Sequence, residues 1–208
     1  MVLTLLAIVL SYLAGAIPAG CVVGKLKGID IRDHGSGNIG FTNALRVMGV
    51  GPGVLVLLAD VGKGVAAVLA ISQLGAMQSN ALTPYIRELC GGFAMVGHVW
   101  TVFLKFRGGK GVATSLGIFT SLFWQGGLIS LAVWIIIVAI TRYVSLGSIL
   151  LCISFCVACF IASGQYIWGM RVLALVVTVI VIYRHKGNIH RLIRGEERKF
   201  GQREKSGA

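Results

Sequence analysis

The sequence predicts an all-α polytopic membrane protein, and three observations carry that prediction. Of the 208 residues, 56% are hydrophobic and only 12% are charged, whereas about a quarter of a soluble globular domain is charged. The mean hydropathy is +0.87. Several uncharged stretches reach the roughly 20 apolar residues that a helix needs to cross about 30 Å of hydrocarbon.

Five stretches are candidate spans by length and composition. They are 2–23, 54–74, 84–104, 146–163 and 167–183. The first has no basic segment ahead of its apolar run, as a cleaved signal peptide would have, so we expect it to stay in the mature protein.

The run 111–140 contains 30 residues without a charge. As one helix it would be about 45 Å long, half as long again as the hydrocarbon core. The alternative is a hairpin of two short helices folded at Trp124, Gln125, Gly126 and Gly127, where paired glycines permit a tight reversal.

Positive charge decides between these alternatives. Fifteen Lys and Arg residues lie in the segments 24–53, 105–110 and 184–208, and such residues favour the cytoplasmic side. Only the hairpin places all three segments there together with Arg142. We therefore predict seven transmembrane helices, one pair of them a short helical hairpin, with the N-terminus outside and the C-terminus cytoplasmic.

The whole chain, 1–208, is predicted to be a single integral membrane domain. Within it, 184–208 is a cytoplasmic amphipathic and basic tail, because Ile189, Leu192 and Ile193 share one helix face. The formal net charge is +12. Since that charge lies between apolar spans rather than on a soluble face, membrane topology and anionic ligands explain it better than a nucleic-acid partner.

A metal or iron–sulfur centre is not expected. Cys152, Cys156 and Cys159 have the spacing of some iron–sulfur enzymes, but they lie in an apolar run with no loop to wrap a cluster, so they are expected to pack as small hydrophobes. His98 is expected to be a hydrogen-bonded interior residue, because it has no second His or Cys at ligand spacing. We expect no cofactor.

The first basic loop combines glycines with hydrogen-bonding side chains. Its G-x-G-x-x-G at 35–40 lacks the strand and soluble βαβ unit of a dinucleotide site, which excludes that function. Glycines still let backbone N–H groups converge on an anion, and the following helix offers its positive N-terminus. The candidate ligands are Gly35, Ser36, Gly37, Asn38, Thr42, Asn43 and Arg46. An ordinary flexible loop is the structural alternative.

The second basic loop, 105–111, contains three cations and three glycines and opens into a helix. It is not a Walker A motif, because Leu104 and Gly111 occupy places that require Gly and Ser or Thr. The positive-inside rule explains its charges but not its glycines, which favours an anion site. The candidate ligands are Lys105, Gly108, Gly109, Lys110 and Gly111.

The third segment follows the last span and contains His185 and Asn188, with Arg191 and Glu196 as secondary candidates. A His at the membrane boundary titrates near neutral pH and can act as a base, and an interfacial His without chemistry is an equal alternative.

Two further secondary candidates lie within the span 54–74. Asp60 and Lys63 are three residues apart on one helix face and can pair. An intramembrane charge is by default a functional hypothesis, with structural pairing as the alternative.

Together, the stretches 35–46, 108–114 and 185–196 resemble the bacterial acyl-phosphate-dependent glycerol-3-phosphate acyltransferases, the PlsY family. The resemblance covers essentially the whole chain. Ile39 stands where the family commonly has Pro, and Phe41 where it has a small residue. These departures alter loop stiffness rather than the set of donors.

The resemblance implies transfer of a fatty acyl group from acyl phosphate to glycerol 3-phosphate. The product is 1-acyl-sn-glycerol 3-phosphate (lysophosphatidic acid), in the first step of phospholipid synthesis, at the cytoplasmic side of the bacterial inner membrane. It implies that neither acyl-CoA nor a metal takes part. It also implies functional coupling to an enzyme that produces acyl phosphate. The His-x4-Asp signature of other acyltransferases is absent from the sequence.

The chemistry of the residues agrees with this expectation. An acyl phosphate is already activated, so positioning and fixed positive charge supply most of the rate gain. Ser36, His185 and Asn188 are the expected catalytic residues. We expect 35–38 and 105–111 to hold the donor phosphate and Arg46, Thr42, Asn43 and 185–188 to hold the glycerol phosphate, although the opposite partition stays open. The proton acceptor is either His185 or, as we favour, a donor phosphate oxygen.

Two other classes of protein remain as alternatives. A transporter of a phosphorylated solute predicts polar residues along a pore and inverted repeats, whereas the polar groups here gather on one side. A structural membrane subunit leaves the glycine-rich loops unexplained.

Overall fold

The computed structural model describes residues 1–162 and 167–201, and every regular element in these ranges is helical. The prediction of an all-α protein is therefore confirmed. The helices are α1 (Val2–Ala16), α2 (Ala19–Leu26), α3 (Phe41–Met48), α4 (Val50–Ala66), α5 (Ser72–Ala76), α6 (Ile86–Val99), α7 (Val112–Leu122), α8 (Trp124–Thr141), α9 (Val144–Ile161), α10 (Ile167–Arg184) and α11 (Lys186–Ile193). Residue 163 of a predicted span and residues 202–208 of the predicted tail lie outside the described ranges.

The first predicted span is two helices, α1 and α2, bent by 43°. Pro18 lacks an N–H group and pushes the preceding residue out of the helical region, and Ile17 accordingly has ψ 115°. The break leaves the Ile17 carbonyl accessible to Lys63, whose Nζ donates to it at 3.1 Å.

The predicted loop 24–53 contains a helix of its own, α3. Gly49, at φ 90°, separates α3 from α4. A π-helical turn, Ala67–Ile71, joins α4 to α5, so that Val50–Ala76 is one apolar helical stretch of 27 residues.

The run 111–140 is broken into α7 and α8, and the break lies at Phe123. A Cβ on Gly127 would lie 2.8 Å from Cα of Thr120, whereas residues seven apart in a continuous helix are about 10 Å apart. One long helix is thus excluded. The predicted fold position, 124–127, is wrong because these residues form the first turn of α8. Gly127 allows α8 to pack closely against α7, and it does not form the reversal between the two helices.

Helix length does not establish seven crossings. Within residues 1–162 and 167–201, three stretches are long and apolar enough to cross a membrane, namely Val50–Ala76, Trp124–Thr141 and Val144–Ile161. The count rises to as many as five if each bent pair is one span. Helices α6 and α7 have 14 and 11 residues, a rise of only about 21 and 16 Å. The count of seven and the orientation of the termini stay predictions.

Small residues let the helices that carry the candidate loops approach closely. A Cβ on Gly97 of α6 would overlap the backbone of Tyr12 in α1, and one on Gly64 of α4 would overlap the carbonyl of Thr114 in α7. Such contacts are typical of helices packed in lipid. The first contact joins α6 to α1, and the second joins the end of α4 to the start of α7, which follows the glycine-rich loop 105–111.

Candidate active site

The structure brings the three predicted segments together around a cavity of about 400 Å³. Twelve predicted site residues line it: Gly35, Ser36, Asn38, Thr42, Asn43, Arg46, Asp60, Lys110, Gly111, His185, Asn188 and Arg191. His98 lines it as well, and it is buried as the sequence predicts. Among the described residues, the predicted positions that do not line it are Gly37, Lys63, Lys105, Gly108, Gly109 and Glu196.

The cavity wall also has an apolar part, which comes from helices α4, α7, α8 and α9. Its residues are Leu57 of α4, Leu116 of α7, Leu131 and Trp134 of α8, and Val144 and Leu151 of α9. The cavity therefore offers a cationic, hydrogen-bonding part to an anionic head group and an apolar part to a hydrocarbon chain.

Asn43 holds the first loop in shape. Its Oδ1 accepts the Ser36 N–H at 2.8 Å, and its Nδ2 donates to the carbonyls of Ile31 and His34, each at 3.1 Å. The residue is 1% exposed, so its amide is used within the protein rather than offered to a ligand. Gly35 must be glycine here, because it has φ 63° and a Cβ would overlap the Asn43 side chain.

Helix α3 presents the ligands that follow this loop. Thr42 lies in its first turn and Arg46 one turn later, and residues four apart share a helix face. Both line the cavity. The hydroxyl and the guanidinium therefore face the same ligand space as Ser36.

The second loop divides into a packed half and a ligand-facing half. The Gly108 and Gly109 N–H groups donate to the carbonyls of Val99 and His98 at 3.0 and 3.1 Å, so these amides do not form the anion-binding nest that the sequence suggested. Lys105 is exposed and outside the cavity wall. Lys110 and Gly111 are the members of this loop that reach the cavity.

A polar network joins the second loop to the third segment. Lys110 Nζ donates to Asn188 Oδ1 at 2.5 Å, and Asn188 Nδ2 donates to Glu197 Oε1 at 2.6 Å. Glu197 also accepts from Ser145 Oγ at 2.8 Å and from Arg191 Nε at 2.8 Å. Its side chain is 7% exposed. The carboxylate of this network is therefore Glu197, whereas Glu196 is exposed and does not line the cavity, so the candidate Glu196 is corrected.

The chain after α11 is held by a contact with Arg142, at the junction of α8 and α9. Phe200 N–H donates to the Arg142 carbonyl at 2.7 Å, and the Arg142 guanidinium donates to the Phe200 carbonyl. This contact anchors the stretch that carries both glutamates. Sequence alone has no signal for it, because the partner lies 58 residues away.

The ionisable groups of the network are tuned by burial and by each other. Burial lowers the pKa of Lys110 to about 8, with Glu197 acting in the opposite direction. Burial also opposes ionisation of Glu197, but hydrogen bonds from Asn188, Ser145 and Arg191 outweigh it and lower the pKa of that carboxyl. At neutral pH the site therefore holds a charged ammonium and a charged carboxylate.

His185 is a neutral imidazole with a fixed tautomer. Burial, reinforced by the nearby Lys110 charge, lowers its pKa to about 4. Its Nδ1 lies 2.8 Å from the Val181 carbonyl, one helical turn earlier. Because a carbonyl only accepts, Nδ1 carries the proton and Nε2 is left as an acceptor.

A buried charged cluster lies beside the second loop. Asp60 Oδ1 is 2.9 Å from Lys63 Nζ and 3.5 Å from His98 Nδ1. The predicted Asp60–Lys63 pair is thus present, and His98 is the additional member that sequence spacing could not identify. In the described ranges, 1–162 and 167–201, His, Cys, Asp and Glu side chains form no group of three that could hold a metal ion.

Comparison with known proteins identifies the family of this chain. A family model described as glycerol-3-phosphate acyltransferase matches residues 5–195. The glycerol-3-phosphate acyltransferase of Prochlorococcus marinus (strain MIT 9312) is 42% identical over 201 residues, covering 96% of this chain and 99% of that protein. The one from Desulforudis audaxviator (strain MP104C) is 42% identical over 200 residues, with 96% of each chain covered.

Solved structures give the same result. The crystal structure of PlsY, an integral membrane glycerol 3-phosphate acyltransferase, in its glycerol 3-phosphate form has a TM-score of 0.85 and 38% identity, covering 95% of this chain and 96% of that one. A second structure, the lysophosphatidic acid form, has a TM-score of 0.83 and 39% identity. Fold, site and relatives define an integral membrane acyltransferase of phospholipid synthesis. The chain belongs to the PlsY family of glycerol-3-phosphate acyltransferases.

Proposed function

We propose that this protein transfers a fatty acyl group from acyl phosphate to glycerol 3-phosphate. The products are 1-acyl-sn-glycerol 3-phosphate and inorganic phosphate. The observation that carries the proposal is a single cavity with a cationic part and an apolar part. An acyl phosphate has those two parts in one molecule, and the acceptor adds a second phosphate.

The charge at the polar part of the cavity suits two phosphates. The basic residues that line it are Arg46, Lys110, Arg191 and Arg198, and the acidic ones are Asp60 and Glu197. Both carboxylates already have cationic or hydrogen-bonding partners in the protein. The basic groups thus outnumber the acidic ones, and a partly enclosed cavity strengthens their attraction for anions.

The apolar wall between α7, α8 and α9 accommodates the acyl chain. Trp134, Leu131 and Leu151 lie along it. A fatty chain placed here stays in a hydrocarbon environment while its phosphate meets Lys110. Relatives solved with glycerol 3-phosphate and lysophosphatidic acid support the acceptor and the product.

The reaction forms one C–O bond and breaks another. The acceptor hydroxyl oxygen attacks the acyl carbon, the bond from that carbon to the phosphate oxygen breaks, and the hydroxyl proton ends on the released phosphate. Because the donor is activated, the protein need only align the two substrates and offset the repulsion between their phosphates. A metal ion or cofactor is not part of this proposal.

His185 and Ser36 are assigned direct contacts with the substrates, and Asn188 acts through Lys110. His185 Nε2 accepts a hydrogen bond from the acceptor hydroxyl and aligns it, and with a pKa of about 4 it is too weak a base to remove the proton at neutral pH. Asn188 fixes the Lys110 ammonium, and Ser36 donates its hydroxyl to a phosphate. The proton therefore passes to an oxygen of the donor phosphate.

The two phosphates are assigned to the two sides of the cavity. Lys110 and Gly111 with 35–38 are assigned to the donor phosphate. Thr42 and Arg46 with 185–188 are assigned to glycerol phosphate. The bond from Lys110 to Asn188 joins the two sides and keeps the phosphates adjacent.

The site is proposed to open to the cytoplasm in a bacterial inner membrane, with seven helical crossings and an external N-terminus. The support is the distribution of positive charge, since the segments that build the site are the basic ones. The acyl phosphate is then supplied by a separate enzyme that makes it on the cytoplasmic side.

An assay in detergent micelles tests the proposal. Purified protein is mixed with palmitoyl phosphate and radiolabelled glycerol 3-phosphate, and labelled lysophosphatidic acid is expected. Palmitoyl-CoA in place of palmitoyl phosphate is expected to give none. Uptake of glycerol 3-phosphate into proteoliposomes without any product would instead establish a transporter.

A further inference from the structure

The buried cluster of Asp60, Lys63 and His98 has no chemical step in the reaction above. Asp60 is 2% and His98 4% exposed. Charged groups buried among spanning helices are costly unless they are paired, and they usually mark a function. What the cluster contacts therefore indicates what it does.

His98 contacts the second loop with both its ring and its backbone. A Cβ on Gly109 would overlap the imidazole at Nε2. The His98 carbonyl accepts the Gly109 N–H, and the Val99 carbonyl accepts the Gly108 N–H. The position of the loop backbone is thus defined by the position of this one side chain and its helix end.

Arg184 holds the loop through its carbonyl groups. Its guanidinium donates to the Gly108 carbonyl at 3.0 Å and to the Gly109 carbonyl at 3.3 Å. The N–H and carbonyl groups of both Gly108 and Gly109 are therefore hydrogen-bonded. Lys110 is the next residue, so these bonds determine where its backbone lies.

Asp60 faces the other edge of the ring, across a contact that is longer than a good hydrogen bond. Its carboxylate lies 3.5 Å from His98 Nδ1, and Lys63 holds the same oxygen at 2.9 Å. Lys63 is in turn bonded to the Ile17 carbonyl at the break between α1 and α2. A rotation of the imidazole would therefore change its contacts with Asp60 in α4 and with the loop at Gly109.

We infer that Asp60 and His98 are positioning residues for Lys110. Asp60 orients the imidazole, the imidazole sets the position of the 108–109 backbone, and that backbone sets where the Lys110 ammonium meets phosphate. The inference rests on the proposed function, in which Lys110 binds a substrate phosphate. It gives these two cavity-lining residues a role that is exerted through the backbone of the second loop.

A double-mutant cycle between His98 and Gly109 tests the contact. Gly109→Ala alone should lower kcat/KM on the order of 100-fold, because it displaces the loop by the width of a methyl group. In a His98→Ala background, where the ring is gone, the same change should cost less than about threefold. The matched control is Gly62→Ala in α4, where a Cβ meets nothing within 4 Å. Independent, additive losses would overturn the inference.

Asp60→Asn separates positioning from a general loss of structure. We expect it to raise by about tenfold the KM of one substrate, with kcat within about twofold of wild type. That substrate should be the one whose KM rises in Lys110→Arg, which moves the charge without removing it. A fall in kcat with both KM values unchanged would overturn the inference.

Hydrogen exchange gives a measurement that needs no substrate. The Gly108 and Gly109 amides should be protected in wild type and exchange at least about tenfold faster in Asp60→Asn, while the amides of α9 stay unchanged. Unchanged protection at Gly108 and Gly109 would overturn the inference. Absence of product from wild-type protein would instead refute the proposed function, so the two failures are distinguishable.

Discussion

Lys110 Nζ donates a 2.5 Å hydrogen bond to Asn188 Oδ1, although 78 residues separate the two in the chain. This bond joins the glycine-rich loop before α7 to the first turn of α11. Asn188 also donates a hydrogen bond to the Glu197 carboxylate. Asn188 therefore positions the Lys110 ammonium, and the nearby Glu197 carries the opposite charge. The rate of reaction should therefore depend on the protonation of Lys110.

The pH dependence should show this directly. The pKa of Lys110 is lowered to about 8 by burial, so raising the pH through that value removes a phosphate-binding charge. We expect kcat/KM, which reports the free enzyme, to fall about tenfold per pH unit above pH 8.

Lys110→Arg supplies the control for the pH profile. Its guanidinium stays charged to beyond about pH 12, so the alkaline fall should disappear even though the overall activity drops. Persistence of the same alkaline limb in this variant would assign it to another group. Both profiles can be recorded in the micelle assay with buffers of constant ionic strength.

The adjacent glutamates provide a matched pair of variants. Glu197→Gln removes the charge that accepts from Asn188, Ser145 and Arg191. Since hydrogen bonds to a charged group are worth about 1.5–3 kcal/mol, we expect kcat/KM to fall on the order of tenfold or more. Glu196→Gln should leave it within about twofold, because this side chain is exposed. Equal losses in the two variants would contradict the assignment of Glu197.

Composition and periodicity are enough to predict the long apolar helices and the break in the run 111–140, but not helix α3. Apolar length is a local property, and 30 uncharged residues are too long for one crossing. The exact position of the bend, at Phe123, depends on tertiary contacts, because Gly127 of α8 packs against α7. The bend at Pro18 is visible in the sequence, but its consequence, a carbonyl for Lys63, depends on α4.

The candidate site shows the same division. The residues that reach the cavity were mostly identifiable, because glycines, cations and amides cluster in three short segments. What could not be predicted is which of them face inward. The Asn43 side chain forms its hydrogen bonds within its own loop, and the Gly108 and Gly109 N–H groups bond to carbonyls at the end of α6. His98 of α6 contacts Asp60 of α4. These roles depend on tertiary contacts, which leave no spacing pattern in one sequence.

Arg46 offers a test of phosphate geometry. It lines the cavity one turn after Thr42. Arg46→Lys keeps the positive charge but loses the planar fork that binds phosphate through two N–H groups, so we expect the KM for one substrate to rise about tenfold. Leu57→Met, at the same cavity wall but without charge, is the control for altered packing. Unchanged KM values for both substrates in Arg46→Lys would exclude direct binding by Arg46.

The predicted topology can be tested by labelling single cysteines in a variant without the five native ones. A cysteine at Gln125, an exposed position at the start of α8, should react with an impermeant maleimide in intact cells. A cysteine at Arg107, exposed in the second loop, should react only after permeabilisation. Reaction of both from outside, or of neither, would contradict a hairpin that places α7 and α8 between these two sides.

The last prediction concerns the proton. His185 Nδ1 donates to the Val181 carbonyl, so Nε2 is the atom that can accept from the acceptor hydroxyl. With a pKa of about 4, this imidazole is about three pH units too weak to serve as an efficient base at pH 7. It can still orient the hydroxyl while an oxygen of the donor phosphate takes the proton.

His185→Gln and His185→Ala distinguish the two roles. The Gln carbonyl keeps an acceptor near the place of Nε2 but cannot take a proton at neutral pH, whereas Ala keeps neither function. An orienting His185 predicts that Gln retains roughly a tenth of the wild-type kcat and that Ala loses at least about 100-fold. The profile of kcat against pH should keep its shape in His185→Gln, because the proton acceptor is a substrate oxygen. If Gln is as inactive as Ala and the acid limb of the wild-type profile disappears with it, His185 is the base and the phosphate oxygen is not.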